Sequence, residues 1–200
     1  MGGYNIEIDV KKDKEIWYPV LKQWIDNNIK YIEESKFEDA IYWHNEMANV
    51  ACISSAIWQV NGVSTIEYTM TKNQNKDYGR ADLYCVFGKK DFLIEVKFLK
   101  SENKITKKQI EDKLNECFKY EKDKTKEEID KLSEEYFKYG KNINKISIVF
   151  ILMTDIQKIE EYNDYSIKAR LTINENKLEY DKKNYNSIYL FGKYLDKISS

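Results

Sequence analysis

Residues 145–154, KISIVFILMT, constrain the fold more than any other stretch of the chain. The run is of strand length and is apolar at both parities. A strand with one wet face alternates apolar and polar side chains. A strand that is apolar on both sides needs cover on both sides, and so belongs at the centre of a sheet packed between helices. Helices to provide that cover are legible. Ile16, Trp17, Val20, Leu21, Trp24, Ile25, Ile29 and Ile32 recur at helical spacing over Asp13–Ser35, with Pro19 early in the segment, where a helix tolerates it best. Ser35-Lys36-Phe37-Glu38 reads as a capping box opening a second helix that runs through DAIYWHNEMANVACISSAIWQV and stops at Asn61-Gly62.

Beyond it, Val63–Lys72 alternates and reads as a strand, and KNQNKDYG as a polar loop. Arg80–Phe87 and Asp91–Leu99 form a hairpin about Gly88-Lys89-Lys90. Lys104–Lys124 is a polar helix with an apolar stripe at Ile105, Ile110, Leu114, Cys117 and Phe118; the helical reading extends over Thr125–Tyr139 and ends at Gly140. After the apolar run come a short helix at Asp155–Tyr162 and strands at Tyr165–Ile173 and Asn186–Phe191. The order predicts an α/β protein, a mixed β-sheet flanked by helices, in a single domain over 1–200. Its parts are an N-terminal helical segment (1–36), a core (37–154) and a C-terminal helix and strands (155–200).

A chain of 200 residues, 42% of them hydrophobic, buries a core without disulfides. The three cysteines, Cys52, Cys85 and Cys117, sit among apolar neighbours with no CxxC pair, which predicts reduced buried thiols in a cytoplasmic protein and disfavours a zinc site. A single histidine, His44, disfavours multi-histidine metal sites and Ser-His or Cys-His triads. It lies off the apolar stripe of its helix, as a surface or structural residue would. No apolar run is long enough to span a membrane, and the N-terminus MGGYNIEIDVKKDK lacks the apolar core of a signal peptide, so neither membrane association nor export is expected. The net charge of -1 gives no global attraction to nucleic acid, although lysines cluster locally, as at Lys104, Lys107 and Lys108.

The hairpin carries chemistry that a structural hairpin does not need. Phe92, Ile94, Val96 and Phe98 share one face of the second strand, and Leu93, Glu95, Lys97 and Leu99 the other. In the first strand Arg80, Asp82 and Tyr84 share a face, opposite Ala81, Leu83, Cys85 and Phe87. Pairing through Gly88 brings Asp82 towards Glu95. Two carboxylates on adjacent strands repel, which calls for a cation between them: one charge from Lys97, or two from a divalent ion. Gly79 permits a sharp turn before the Asp82 strand. The alternative is an exposed edge hairpin with a Glu–Lys pair, since the tripeptide E-x-K is common by chance.

Gly79-Arg80-Ala81-Asp82, followed by Glu95-Val96-Lys97, resembles the core of the PD-(D/E)xK nuclease superfamily, with Ala81 where the namesake proline would stand. The resemblance implies a restriction-endonuclease-like core. It also implies a Mg²⁺ site, with Mn²⁺ as a substitute, held by Asp82 and Glu95 with the Val96 carbonyl as a further ligand, and Lys97 orienting or activating the attacking water. Members often add an acid from a preceding helix. Glu46, on the stripe of Trp43, Val50, Ile53 and Ile57, is the candidate here, the alternative being that it lies at the stripe's margin and reaches solvent. Gln109 stands where some relatives carry the Gln of a Q-x-x-x-Y motif, with Lys113 in the Tyr position; Arg80, Lys72 and Lys107 are candidate phosphate contacts alongside it.

The function so implied is metal-dependent hydrolysis of phosphodiester bonds in nucleic acid, DNA ahead of RNA, with a homodimer as one way to cut two strands. The rival readings are a non-catalytic nucleic-acid-binding protein on the same fold and an immunity- or inhibitor-like module that binds a protein.

Overall fold

The computed structural model describes residues 3–71, 78–117, 143–154, 159, 161–173 and 185–195, with side chains of 68–71 and 78–80 outside that description. A seven-stranded mixed sheet has the order β1-β6-β7-β5-β4-β3-β2. Its strands are β1 (Tyr4–Val10), β2 (Val63–Thr71), β3 (Tyr78–Phe87), β4 (Lys90–Ser101), β5 (Asn144–Met153), β6 (Ile167–Ile173) and β7 (Ser187–Tyr194). Only β4 and β5 pair in parallel; the other pairs are antiparallel. The described helices are α1 (Lys14–Glu34), α2 (Glu46–Gln59) and α3 (Lys107–Glu116). The fold is α/β with a mixed sheet flanked by helices, as the order of elements predicts.

The run over 145–154 forms β5, the middle strand of the seven. Ile146, Ile148, Phe150 and Leu152 join the core beneath α1 and α2, while Val149, Ile151 and Met153 join a second cluster with Ile110 and Leu114 of α3. Both faces of β5 are therefore dry, which accounts for an apolar run without alternation. Among the described residues, no helix is long and apolar enough to cross a membrane.

Three elements differ from the sequence expectation. The N-terminal segment is not only helical: Tyr4–Val10 forms β1, paired with β6 from Tyr4↔Ile173 to Val10↔Ile167. The period-two pattern Tyr4, Ile6, Ile8, Val10 carried that signal. Nor does Ser35 open the second helix. Its amide bonds to the Tyr31 carbonyl at 2.9 Å and its hydroxyl to the Ile32 carbonyl at 2.9 Å, so it closes α1. Lys36 and Phe37 follow with φ of 54° and 65°, a turn that no helix continues. The helix opens at Asn45, whose side chain accepts from the Ala48 amide at 2.9 Å, after a 3₁₀ turn at Ile41–Trp43. Finally, Ile159 forms an isolated parallel bridge to Ile105, and Glu161 and Tyr162 are not helical, so the helix expected at Asp155–Tyr162 is not formed by those of its residues that are described. Lys72 and Lys76, residues 118–124 of the polar helix, and Thr125–Gly140 lie outside the described residues.

α2 stops where expected. Asn61 takes φ 65°, and a Cβ on Gly62 would come within 2.5 Å of the Phe87 ring, so only glycine lets the chain turn into β2 there. Beside the same hairpin turn, a polar chain that is buried at Trp17 and exposed at Lys90 ties α1 to the hairpin. Trp17 Nε1 donates to the Tyr194 hydroxyl at 2.8 Å, and that hydroxyl donates to Asp13 at 2.5 Å. Lys90, beside the hairpin turn, donates to Asp13 at 2.6 Å and to Glu15 at 3.0 Å.

Burial works against the Asp13 charge, but the Lys90 and Tyr194 bonds and the nearby ammonium groups outweigh it and hold the carboxyl below its ordinary range. A carboxylate depressed in the folded state adds stability above its unfolded pKa and loses it as pH falls through the folded one. Asp13→Asn is therefore expected to lower the melting temperature at neutral pH, and to flatten the loss of stability below about pH 4. Thermal melts from neutral pH into acid check this; an acid limb identical to that of wild type would remove Asp13 from the stabilising network.

Candidate functional site

β3 and β4 begin as a regular hairpin. Phe87↔Lys90 closes it around Gly88, whose φ of 59° suits the first position of a two-residue turn, and pairing continues to Leu83↔Ile94. There it stops. Alternation from the Phe87↔Lys90 closing pair makes the Val96 and Phe98 amides the next to face β3, and no β3 backbone meets them. An amide left unpaired in a protein interior is costly, so each needs another acceptor. Asp82 supplies the first: its Oδ2 accepts from the Val96 amide at 2.7 Å. Glu46, the first residue of α2, lies within electrostatic reach of the Phe98 amide, of Asp82 and of Lys97. One carboxylate thus stands where a strand carbonyl would have been, with a second in its field.

The split has a visible cause on the other side of β3. The ladder between β2 and β3 pairs Ile66↔Leu83 and Tyr68↔Ala81 but skips Glu67 and Asp82 between them. Glu67 has φ 52°, the only positive φ of a non-glycine residue inside a strand among those described. The same kink changes the faces. Leu83 and Cys85 lie in the α1–α2 core, whereas Ala81 packs with Leu93 and Cys117 on the α3 side. Strict alternation would have kept Ala81 with Leu83; the distortion at Asp82 swaps its face.

Glu95 and Lys97 do share a face of β4, opposite Phe92, Ile94 and Val96, which belong to the α1–α2 core. Glu95 is buried, at 8% exposure, and aligned with buried Ser147 of β5. Lys97 is half-buried and donates from Nζ to the Val96 carbonyl at 2.7 Å. Burial disfavours its charge, but the Glu46, Asp82 and Glu95 carboxylates outweigh that and hold the ammonium above its usual pKa. The three carboxylates expected from the sequence therefore all act on one ammonium. Burial pushes the Glu46 carboxyl up, Asp82 adds to the rise, and Lys97 with the Phe98 amide opposes it.

α3 contributes two groups that the sequence did not single out for the site. Cys117 donates to the Glu95 carbonyl at 3.5 Å, and burial pushes its thiol to about 12, so it stays neutral. Lys113 donates to Glu116 at 2.7 Å and also acts electrostatically on Glu46. Their spacing with Ile110 and Leu114 along α3 was the available signal.

The candidate substrate contacts are engaged elsewhere, exposed, or outside the description. Gln109 serves the capping box of α3: its Oε1 accepts from the Thr106 amide at 2.8 Å and the Thr106 hydroxyl at 3.1 Å, and the Thr106 hydroxyl accepts from the Gln109 amide. Lys107 is exposed in the first turn of that helix. The backbone of Arg80 lies in β3 but its side chain is outside the described set, as is all of Lys72. His44 is exposed and meets Asp39 at 3.2 Å, a carboxylate that also accepts from Tyr31, so it belongs to the turn between α1 and α2.

Among the described residues, no three His, Cys, Asp or Glu side chains converge closely enough to hold a metal ion between them. A small hard cation does not require three. Mg²⁺ typically takes one or two carboxylates and fills its remaining positions with water or phosphate oxygen. Oxygen donors of the kind that Asp82, Glu95, Glu46 and the Val96 carbonyl carry fit that chemistry, and neutral buried Cys117 does not compete for it. No protein-family model, curated protein or solved structure matches the chain.

Proposed function

We propose that the protein is a Mg²⁺-dependent nuclease with a restriction-endonuclease-like core, hydrolysing phosphodiester bonds in DNA more readily than in RNA. One observation carries the reading. Three carboxylates from three separate elements, Glu46 of α2, Asp82 of β3 and Glu95 of β4, all act on Lys97 at the point where the sheet splits. Their mutual repulsion makes the group a receptor for added positive charge. Asp82 and Glu95 would hold the ion, with Glu46 and the Val96 carbonyl available to it. When bound, the ion supplies a polarised phosphoryl oxygen and a more acidic water.

The protein's own residues set the stage for that chemistry. The Val96 amide orients Asp82, and Leu93, Ala81 and Cys117 form a buried apolar cluster, with the Cys117 thiol on the Glu95 carbonyl. Lys97 provides a mobile positive charge for an anionic transition state. Lys113 is a further cation on the α3 side.

Asp82 also has a structural task, as acceptor for an amide that β3 leaves behind. This favours, as the second reading, a non-catalytic nucleic-acid-binding or protein-binding module that uses them only to hold the sheet open. Incubation with plasmid, linear duplex, single-stranded DNA and RNA, each with Mg²⁺ or Mn²⁺, separates the two. Cleavage of DNA that needs the divalent ion and stops with chelator is expected. Intact substrates in every arm, with Mn²⁺ present, leave the binding module as the answer.

A further inference from the structure

We propose that Glu67 is a positioning residue, whose left-handed backbone turns Asp82 out of the strand ladder and onto the Val96 backbone. Its bearing on catalysis rests on the nuclease reading above. A regular hairpin would place Asp82 differently. Pairing from Phe87↔Lys90 to Leu83↔Ile94 continues, by register, to Asp82↔Glu95 and Ala81↔Val96. Asp82 and Glu95 would then face each other without mutual hydrogen bonds, their Cα atoms about 4.5 Å apart. Their carboxylates would share one face, and like charges so opposed are destabilising. The Val96 amide would bond to the Ala81 carbonyl.

The structure departs from this at each point. The Val96 amide donates to Asp82 Oδ2 at 2.7 Å, so a side chain takes the place of the Ala81 carbonyl. Ala81 packs with Leu93 and Cys117 on the α3 side, where alternation would have put Asp82. The departure coincides with a distortion in β2. Leu83 turns its amide and carbonyl to β4, so those of a regular Asp82 point to β2, where Glu67 would exchange two bonds with it. Glu67 has φ 52°, and that pair is missing from the ladder although Ile66↔Leu83 and Tyr68↔Ala81 flank it. A left-handed backbone is disfavoured for a residue with a Cβ and persists only where its surroundings enforce it. Local breaks in a ladder re-aim side chains beside active sites. Here the break moves Asp82 from direct opposition with Glu95 to the amide of the next residue of β4.

Nuclear Overhauser contacts of the full chain, without metal or substrate, test the geometry. Wild type is expected to lack an Hα–Hα contact between Asp82 and Glu95; its presence overturns the proposal without any variant. Glu67→Val, β-branched and ill suited to a left-handed backbone, is expected to restore the regular pair and so produce that contact. The same variant should lower kcat for Mg²⁺-dependent DNA cleavage by about a hundredfold, with KM little changed. Glu67→Gln removes the charge at the same backbone cost, and Glu67→Asn suits the left-handed region better. Both are expected to keep kcat within about threefold of wild type, and Glu67→Asn to melt no lower.

Glu67→Val with wild-type contacts and kcat overturns the proposal. If that variant does not fold, a Glu67→Asn protein that melts below wild type overturns it instead. A Glu67→Gln protein as impaired as Glu67→Val assigns the effect to the carboxylate and overturns the backbone role. Absence of cleavage in every form, wild type included, ends the nuclease reading, while the contacts still decide whether Glu67 places Asp82.

Discussion

Glu95→Gln is expected to abolish both cleavage and the stabilisation by divalent ions. Glu95 sits in β4 between β3 and β5 and is almost fully buried. Gln preserves its size and most of its hydrogen bonding but removes the charge, so the fold is retained while the proposed metal site loses a ligand. An ion at a hundred times its dissociation constant stabilises the native state by about 2.7 kcal/mol. For a chain of this size each kcal/mol moves the midpoint by about 2–4 °C, so wild type should gain roughly 5–10 °C with saturating Mn²⁺. The variant should gain almost nothing. Cleavage should fall by about a thousandfold, in line with removal of one preorganised group that stabilises transition-state charge. Differential scanning calorimetry with and without Mn²⁺, paired with a single-turnover assay, reads both quantities. A variant that keeps the full thermal gain takes Glu95 out of the metal site, whatever its activity.

Phe150→Ala should be the most damaging simple truncation of the core. Phe150 is fully buried on the central strand, and its ring lies 5.7 Å from that of Trp24 at an interplanar angle of 37°. Removing it leaves a cavity at the junction of α1 and the sheet, where a helix and a central strand resist collapse into the space. Truncations of this kind cost about 3–5 kcal/mol, which corresponds to a midpoint lower by about 6–20 °C. Chemical denaturation at a fixed temperature measures the difference directly. A loss below about 1 kcal/mol would mean that α1 relaxes into the space, and that its seat on the sheet is looser than the close packing of Trp17, Trp24 and Phe92 implies.

Much of this fold is written in periodicity. The two-sided apolar run placed β5 at the centre, the helical stripe placed α1, and the turn at Gly88 placed the hairpin. These signals depend only on which residues are apolar and how often they recur, and local sequence carries that information completely. β1 and the true start of α2 were legible too, in the alternation of Tyr4, Ile6, Ile8 and Val10 and in the capping asparagine at position 45. The Ser35–Glu38 pattern competed with the second signal. Capping residues are generic, and the same serine can end one helix as readily as it begins the next.

The sequence by itself determined that Glu95 and Lys97 share one face of a strand, because period-two alternation leaves no other choice within β4. It also supplied Asp82 and Glu46 as candidates. Only the tertiary structure decided that these acids belong together. Their meeting depends on β3 leaving β4 after Leu83, on the backbone kink opposite Asp82 at Glu67, and on the Val96 amide, which then takes Asp82 as its acceptor. Glu46 joins Asp82 because α2 delivers its first residue to that opening. Ala81 changes faces for the same reason, against the alternation rule. A break in a hydrogen-bond ladder depends on neighbouring strands and helices far away along the chain, and no local pattern encodes it.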